Sequence, residues 1–396
     1  MSTLTTQANP KIGVLTEATD LHRLGPAWRA LLEESDGNEP TLGPEWMGAW
    51  WEVFGGRGGR RLRCLHVEEG GDLIGLVPLH SRSHWYAPGL PFRRLEMLGS
   101  GEREADSVCS DYLGPIARRG RESEVVEALI EALGSSRLGG WDEIVIPLMD
   151  GTSPIPEMLA SAARGRGWFA ECVETTRAPY IELPDTWEGY LQSLDKKGRY
   201  LVNRTLRDFE EWADGKAVFH RATDGLSLDE GKRLLLALHE QRWENASGGT
   251  FRSPRFLAFH DRVMPALLAR GALDLIWLTV RDQPIAVMYD IRWNGKVSFY
   301  QCGRRMDVPK QIRPGGVLLY HAIREAITSG MREFDFLGGE ATYKKQLATA
   351  SRPLVRLRIA RPGWLERGRR LGERVKDRLR PLWRRWRGKS VVPSPG

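Results

Sequence analysis

The chain has 396 residues, more than one ordinary hydrophobic core holds, so two domains of roughly 150 to 200 residues are expected. Its 58 Lys and Arg exceed its 51 Asp and Glu by 7, yet residues 361–396 alone carry 12 basic and 3 acidic residues; the remaining 46 and 48 leave the body at −2, so the basic excess belongs to the tail and says little about the folded part. Four scattered cysteines with no C-x-x-C pair argue against a disulfide framework or a zinc site, and the sequence shows neither an apolar signal-peptide core nor a run of about 18 apolar residues, so a cytoplasmic, non-spanning chain with no metal is expected.

In chain order, a helical pattern covers 21–32 and an aromatic helix 45–54, where Trp46, Trp50 and Phe54 recur every four residues as a core face. A hairpin follows, with strands at 61–68 and 73–79 around Glu69-Gly70-Gly71-Asp72. A polar loop containing Asp106 and Ser110-Asp111-Tyr112 leads to a helix at 122–133 and a strand at 143–147. The second half starts with a strand at 180–184 and a basic helix at 187–212, whose interleaved acids mark it as mainly a solvated face, with guidance of an anionic acceptor as the alternative. Helices at 234–243 and 255–269, a hairpin of 273–280 with 285–293, a strand at 297–302, a helix opened by Pro314-Gly315-Gly316 and a strand at 333–337 complete it. Helices, hairpin, strand, helix and strand thus appear twice in the same order, as in a tandem duplication of one α/β unit.

Two clusters carry chemistry. Arg304, Arg305, Lys310 and Arg313 precede Gly315 and Gly316 at a helix start, where unpaired N–H groups and the helix dipole hold an anion; a solvated loop is the plain alternative. Past the second strand, Asp335, Glu340, Tyr343 and Lys344 put carboxylate, phenol and ammonium within one short segment, although Asp335 equally suits capping the glycine turn after it. The start His239-Glu240 lacks the second histidine of H-E-x-x-H, and neither a G-x-S-x-G elbow nor a phosphate loop of the G-x-x-x-x-G-K-[ST] kind occurs.

Several patches in order, Pro44-Glu45-Trp46 with Ala49-Trp50-Trp51, Gly75-Leu76-Val77-Pro78-Leu79, Ser110-Asp111-Tyr112, Leu238-His239-Glu240-Gln241-Arg242-Trp243, Pro314-Gly315-Gly316, and Phe334-Asp335-Phe336-Leu337-Gly338-Gly339-Glu340 with Tyr343-Lys344, resemble the tandem branch of the GNAT acyltransferase superfamily. That branch includes CelD-type and BioF2-like proteins and the FemAB-like peptidyltransferases. The resemblance implies two tandem GNAT-like α/β domains with mixed central sheets flanked by helices, at 1–177 and 178–360, the second carrying the donor site. It implies acyl-CoA, in the first place acetyl-CoA, as co-substrate with its pyrophosphate at Gly315-Gly316, and a small-molecule amine, of a sugar or envelope-related metabolite, as acceptor. This chain offers Gln311-Ile312-Arg313-Pro314-Gly315-Gly316 where the family's longer signature has two spaced glycines. Asp335 or Glu340 then serves as base, Tyr343 as acid to the leaving sulfur and Lys344 as anion holder, while Glu240, Arg242 and Asp111 line the acceptor cleft. Two alternatives stand beside this: a FemAB-like transferase using aminoacyl-tRNA, and a non-catalytic assembly factor of a polysaccharide-synthesis complex.

In the tail, Leu365, Leu371, Val375, Leu379, Leu382, Trp383 and Trp386 recur near helical spacing among arginines, interrupted at Pro381. A basic amphipathic helix at an anionic membrane surface is the leading expectation, with a partner-protein helix, nucleic acid or a solvated tail as alternatives.

Overall fold

The computed structural model describes residues 10–243, 251, 253–339 and 341–374, without the side chains of Arg242 and Trp243. The first half runs β1 (Lys11–Leu15), α1 (Ala18–Arg23), α2 (Gly25–Glu33), α3 (Pro44–Trp50), β2 (Arg61–Leu62), β3 (Cys64–Glu69), β4 (Asp72–Val77), β5 (Leu79–Trp85), β6 (Pro91–Met97), β7 (Ile116–Ala117), α4 (Glu122–Gly134), β8 (Glu143–Asp150), α5 (Ile155–Gly165) and β9 (Phe169–Glu182). The second runs α6 (Trp187–Ser193), α7 (Lys196–Ala213), β10 (Ala217–Arg221), α8 (Gly225–Trp243), α9 (Pro254–Ala269), β11 (Leu273–Val280), β12 (Gln283–Trp293), β13 (Lys296–Arg304), α10 (Pro314–Thr328), β14 (Glu333–Asp335), α11 (Thr342–Leu347) and β15 (Ala350–Ala360).

One sheet of 11 strands, ordered β10-β11-β12-β13-β14-β9-β15-β8-β6-β5-β2, passes through both halves, beside a smaller sheet ordered β1-β3-β4-β7. Its pairings are antiparallel except β6 with β8 and β13 with β14. In each of these parallel pairs a helix, α4 or α10, lies in the connection between the strands, as a parallel crossover requires. Each half also gives its last strand to the other: β9 pairs with β14, β15 pairs with β8, and β9 and β15 run along each other at the centre. The expected boundary at 177/178 therefore falls inside β9, a strand shared by both halves.

Local chemistry explains where the elements differ from the sequence reading. The basic stretch 187–212 is two helices, because Leu194 is extended and the Asp195 carboxylate accepts from Gly198 N at 2.6 Å, capping a new start. The 21–32 helix divides at Leu24, ahead of Pro26 in the first turn of α2. The aromatic helix widens into a π-turn over Trp51–Gly55, but Trp46, Trp50 and Phe54 remain in the core as their spacing requires. Arg61–Leu62 leaves the expected hairpin and pairs with β5 in the large sheet. The largest core cluster joins Trp28, Trp46 and Trp50 of the first half to Phe256, Phe259 and Tyr300 of the second, while another packs Leu318 and Ile323 of α10 over Phe334 and Phe336.

Candidate active site

β13 and β14 pair only over Lys296–Ser298 and Glu333–Asp335. Beyond that β13 stays with β12, whereas the chain after β14 follows β9, with Phe336 N donating to Pro179 O at 3.0 Å and Gly339 N to Arg177 O at 3.2 Å. The parting strands leave a gap. A register shift on β13 inserts Tyr300 as an extra residue there, and such bulges re-aim side chains beside active sites. The gap opens into a cavity of about 470 Å³ lined by Gln301 and Cys302 of β13, Gly338 and Gly339 after β14, Tyr343 and Lys344 of α11, His239 of α8, and Cys109 and Asp111 of a loop from the first half.

Buried hydrogen bonds hold that loop in place. Trp46 Nε1 donates to Ser110 Oγ at 2.8 Å, Thr41 Oγ1 to Asp111 O at 2.7 Å, and Tyr300 OH to Val108 O at 2.7 Å. Asp111 Oδ2 accepts from Gly338 N at 2.6 Å. Glycine favours this approach, since a Cβ at residue 338 would lie 3.1 Å from Asp111 Oδ2 and press the carboxylate away by a few tenths of an ångström. Burial pushes the Asp111 carboxyl up to about 6, against the Gly338 N–H and the Lys344 ammonium, which favour its charge. Lys344 Nζ donates to Phe336 O, Leu337 O and Gly338 O at 2.7, 3.3 and 3.0 Å, and burial lowers its pKa. Cys109, Tyr112, Leu148 and Leu337 all hold positive φ, between 49° and 61°, so backbone strain gathers around this cavity.

Directly behind lies a buried charge cluster. Tyr112 OH donates to Asp335 Oδ2 at 2.6 Å, Leu337 N to Asp335 Oδ1 at 2.7 Å, and Lys296 Nζ reaches Glu39 Oε1 and Oε2 at 2.6 and 2.7 Å and Asp335 Oδ2 at 3.5 Å. Burial alone would lower Lys296, but the facing carboxylates of Glu39 and Asp335 outweigh it and raise its pKa. Tyr112 also lines a second, larger cavity of about 540 Å³, whose lining has carboxylates but no His, Cys, Lys or Arg; the mixed chemistry sits in the first.

The comparisons with known proteins agree with this architecture. Residues 196–345 match the family model described as an acetyltransferase (GNAT) domain. Among solved structures, FemX superposes with a TM-score of 0.56 at 10% identity, covering 83% of this chain and 95% of that one. L-PGS from Bacillus licheniformis gives 0.51 at 14%, covering 93% and 99%, and a conserved protein of unknown function from Bacteroides thetaiotaomicron gives 0.51 at 10%, covering 89% and 100%. Residues 196–345 thus carry a GNAT-type domain, and the chain as a whole shares the fold of FemX. No curated protein matches it in sequence, and at these identities the structural likeness is one of fold alone.

Within this fold the residues singled out by sequence separate into groups. Tyr343, Lys344 and Asp111 meet at the cavity. Asp335 does not: it is fully buried and held by Tyr112, Lys296 and the Leu337 N–H, which makes it a structural anchor for the turn rather than a group facing substrate. Lys344 gives its three N–H donors to backbone carbonyls, so it clamps the 336–338 turn and has no N–H left to hold an anion directly. Glu240 is exposed and its neighbour His239 lines the cavity in its place, as about 100° of helix rotation per residue requires. Glu340 and the Arg242 side chain lie outside the described residues.

In the other cluster singled out by sequence, Gly315 and Gly316 occupy the first turn of α10, with Arg313 exposed at its N-cap and Lys310 exposed in the preceding loop. The Arg304 side chain packs along Gly315, where a Cβ would be 3.3 Å from Arg304 Cδ. Arg305 is turned to Asp307 in a two-point pair, Nε to Oδ1 at 2.7 Å, which removes it from the free anion donors. Sequence reading missed Lys296, Glu39 and Cys109 and noted His239 only as an incomplete metal motif; for the first, a lysine opening an apolar strand, Lys296-Val297-Ser298-Phe299, was the available signal. Among the described residues, no three His, Cys, Asp or Glu side chains converge as a metal site.

Proposed function

We propose that the chain is an N-acyltransferase that moves an acyl group, acetyl in the first instance, from acyl-CoA to an amine of a sugar or envelope-related small molecule. The observation that carries this reading is the gap between β13 and β14, which faces Asp111 at one side, while the end of β13 beyond it lies with Arg304 against Gly315 in the first turn of α10. A thioester whose phosphates meet the α10 N–H groups, with Arg313 and Lys310 nearby, extends along β13 toward the cavity.

The Asp111 carboxylate takes the proton from the acceptor ammonium or amine, the nitrogen lone pair adds to the thioester carbonyl carbon, and the tetrahedral adduct expels sulfur as the C–S bond breaks. Tyr343 supplies a proton to the thiolate and regains one from water. The Lys344 ammonium, fixed on three carbonyls, favours the negative charge that builds on the carbonyl oxygen. A reading with aminoacyl-tRNA as donor draws on one observation: Lys196, Lys197 and Arg199 are exposed in the first turn of α7, which packs beside α11 at Gly198.

The test is thiol release from acetyl-CoA in the presence of an amine panel of amino sugars, diamines and amino acids, in parallel with transfer from charged tRNA. Acceptor-dependent thiol release that vanishes in Asp111→Asn supports the proposal; transfer from tRNA alone, or neither activity in a folded protein, contradicts it.

A further inference from the structure

The beginning of the basic tail is clamped to the first half by a buried run of alternating charges. Glu143 of β8 accepts from Arg94 of β6 at 2.6 Å and from Arg358 of β15 at 2.8 Å. Arg358 continues to Glu366, at 2.6 and 3.2 Å, and Glu366 also accepts from Arg369 at 3.0 and 3.1 Å and from Arg370 at 2.9 Å. Glu143, Arg358, Glu366 and Arg369 are all buried, so every carboxylate of the run is answered by cations and every arginine by a carboxylate.

This clamp fixes the rotation of the helix over 364–374. Glu366 and Arg369 point inward, and at about 100° per residue Trp364, Arg367, Leu371 and Arg374 fall together on the opposite side. All four are exposed there, Trp364 at 71% and Leu371 at 63%. A stripe of Trp, Arg, Leu and Arg presented to the outside has no function in the fold, since the helix is held by the other face. Its chemistry is that of an interface that is negative and apolar together: arginine for phosphate, tryptophan and leucine for the boundary between head groups and acyl chains. Charge complementarity favours a surface over a discrete pocket, because the sequence from 375 to 396 adds 7 Lys and Arg against 1 Asp, a diffuse excess suited to a diffuse negative plane. Leu371 has no partner in a phosphate backbone, which disfavours nucleic acid.

We infer that the outward stripe Trp364, Arg367, Leu371 and Arg374 docks the chain on an anionic lipid bilayer, with the buried carboxylate–guanidinium run setting which side of the helix meets the membrane. The test uses the full chain and sedimentation with phosphatidylcholine vesicles, with and without phosphatidylglycerol. Wild type is expected to bind only the anionic vesicles and to lose binding as salt rises. Two variants of exposed residues, which leave the circular dichroism spectrum unchanged, probe the stripe: Trp364→Ser with Leu371→Ser, and Arg367→Glu with Arg374→Glu. Each pair is expected to weaken binding more than about tenfold. Bromine-labelled lipid should quench part of the tryptophan emission of wild type, and less of it after Trp364→Ser. Wild type that ignores anionic vesicles, binding unchanged by both pairs, or binding restricted to tRNA or duplex DNA would overturn the inference.

Discussion

Replacing Asp111 by Asn separates what this side chain costs the fold from what it gives the reaction. Burial raises the Asp111 carboxyl from an ordinary value of about 3.9 to about 6. Each factor of ten is worth about 1.4 kcal/mol, so holding the ionised form in the cavity wall costs the native state about 3 kcal/mol. The sign follows from proton binding. Because the folded chain holds this proton more tightly than the unfolded chain, the cost is absent below about pH 4, grows as pH rises, and is complete above about pH 6. Asn has the shape of the protonated acid and its oxygen still accepts from Gly338 N, so Asp111→Asn should stabilise the protein by up to about 3 kcal/mol at pH 8 and by close to nothing at pH 4. Urea unfolding across that range reads the difference directly. The same variant removes the base: kcat/KM of wild type should rise through a limb near pH 6, and the variant should lose about 10² to 10⁴ in rate together with that limb. A stability difference independent of pH, or activity that keeps the limb without the carboxylate, would refute the assignment.

Other substitutions report on neighbouring parts. Lys296→Met leaves the carboxylates of Glu39 and Asp335 buried beside an apolar side chain and should cost about 3–5 kcal/mol in urea unfolding, whereas a loss below about 1 kcal/mol would show the cluster is not the anchor described. Gly303→Ala puts a Cβ 2.6 Å from His239 N and 2.7 Å from Leu238 C, backbone atoms that yield only if α8 moves off β13; a cost of about 1–3 kcal/mol in the same assay is expected, and an unchanged midpoint would mean the helix shifts freely. Tyr343→Phe should leave stability within about 0.5 kcal/mol, because the side chain is 37% exposed, yet lower kcat for alkyl thioesters by about 10² or more. An aryl thioester, whose thiolate leaves without a proton, should restore most of that rate; equal loss on both donors would remove Tyr343 from the acid role.

The sequence carried the parts of the fold whose signals are local. The tryptophan period of α3, the β11–β12 hairpin and the glycine-opened α10 all stand where apolar spacing and turn residues put them. It did not carry β9 and β15. Arg358 in β15 is 2% exposed because Glu143 and Glu366, far apart in sequence, neutralise it, a pairing no local pattern announces. The site divides in the same way. Tyr343 and Lys344 were visible as a compact motif, whereas the meeting of Asp111 with Gly338 spans 227 residues and depends on the exchange of last strands between the halves. Asp335 read equally as a carboxylate for chemistry and as a cap for the turn after it; the Leu337 N–H it accepts is that cap, and Tyr112 and Lys296, neither adjacent in sequence, complete its structural role.

The most direct test of the central claim is calorimetric titration of acetyl-CoA and free CoA into wild type and Gly316→Glu. A Cβ at residue 316 meets only ordinary contacts, Arg313 Cβ at 3.7 Å and Thr205 Cγ2 at 3.8 Å, so the variant should fold while placing a negative charge at the start of α10. The account predicts micromolar binding of both ligands by wild type and loss of at least tenfold in the variant. No binding by folded wild type, or binding indifferent to the new charge, would contradict an acyl-CoA donor at the start of α10.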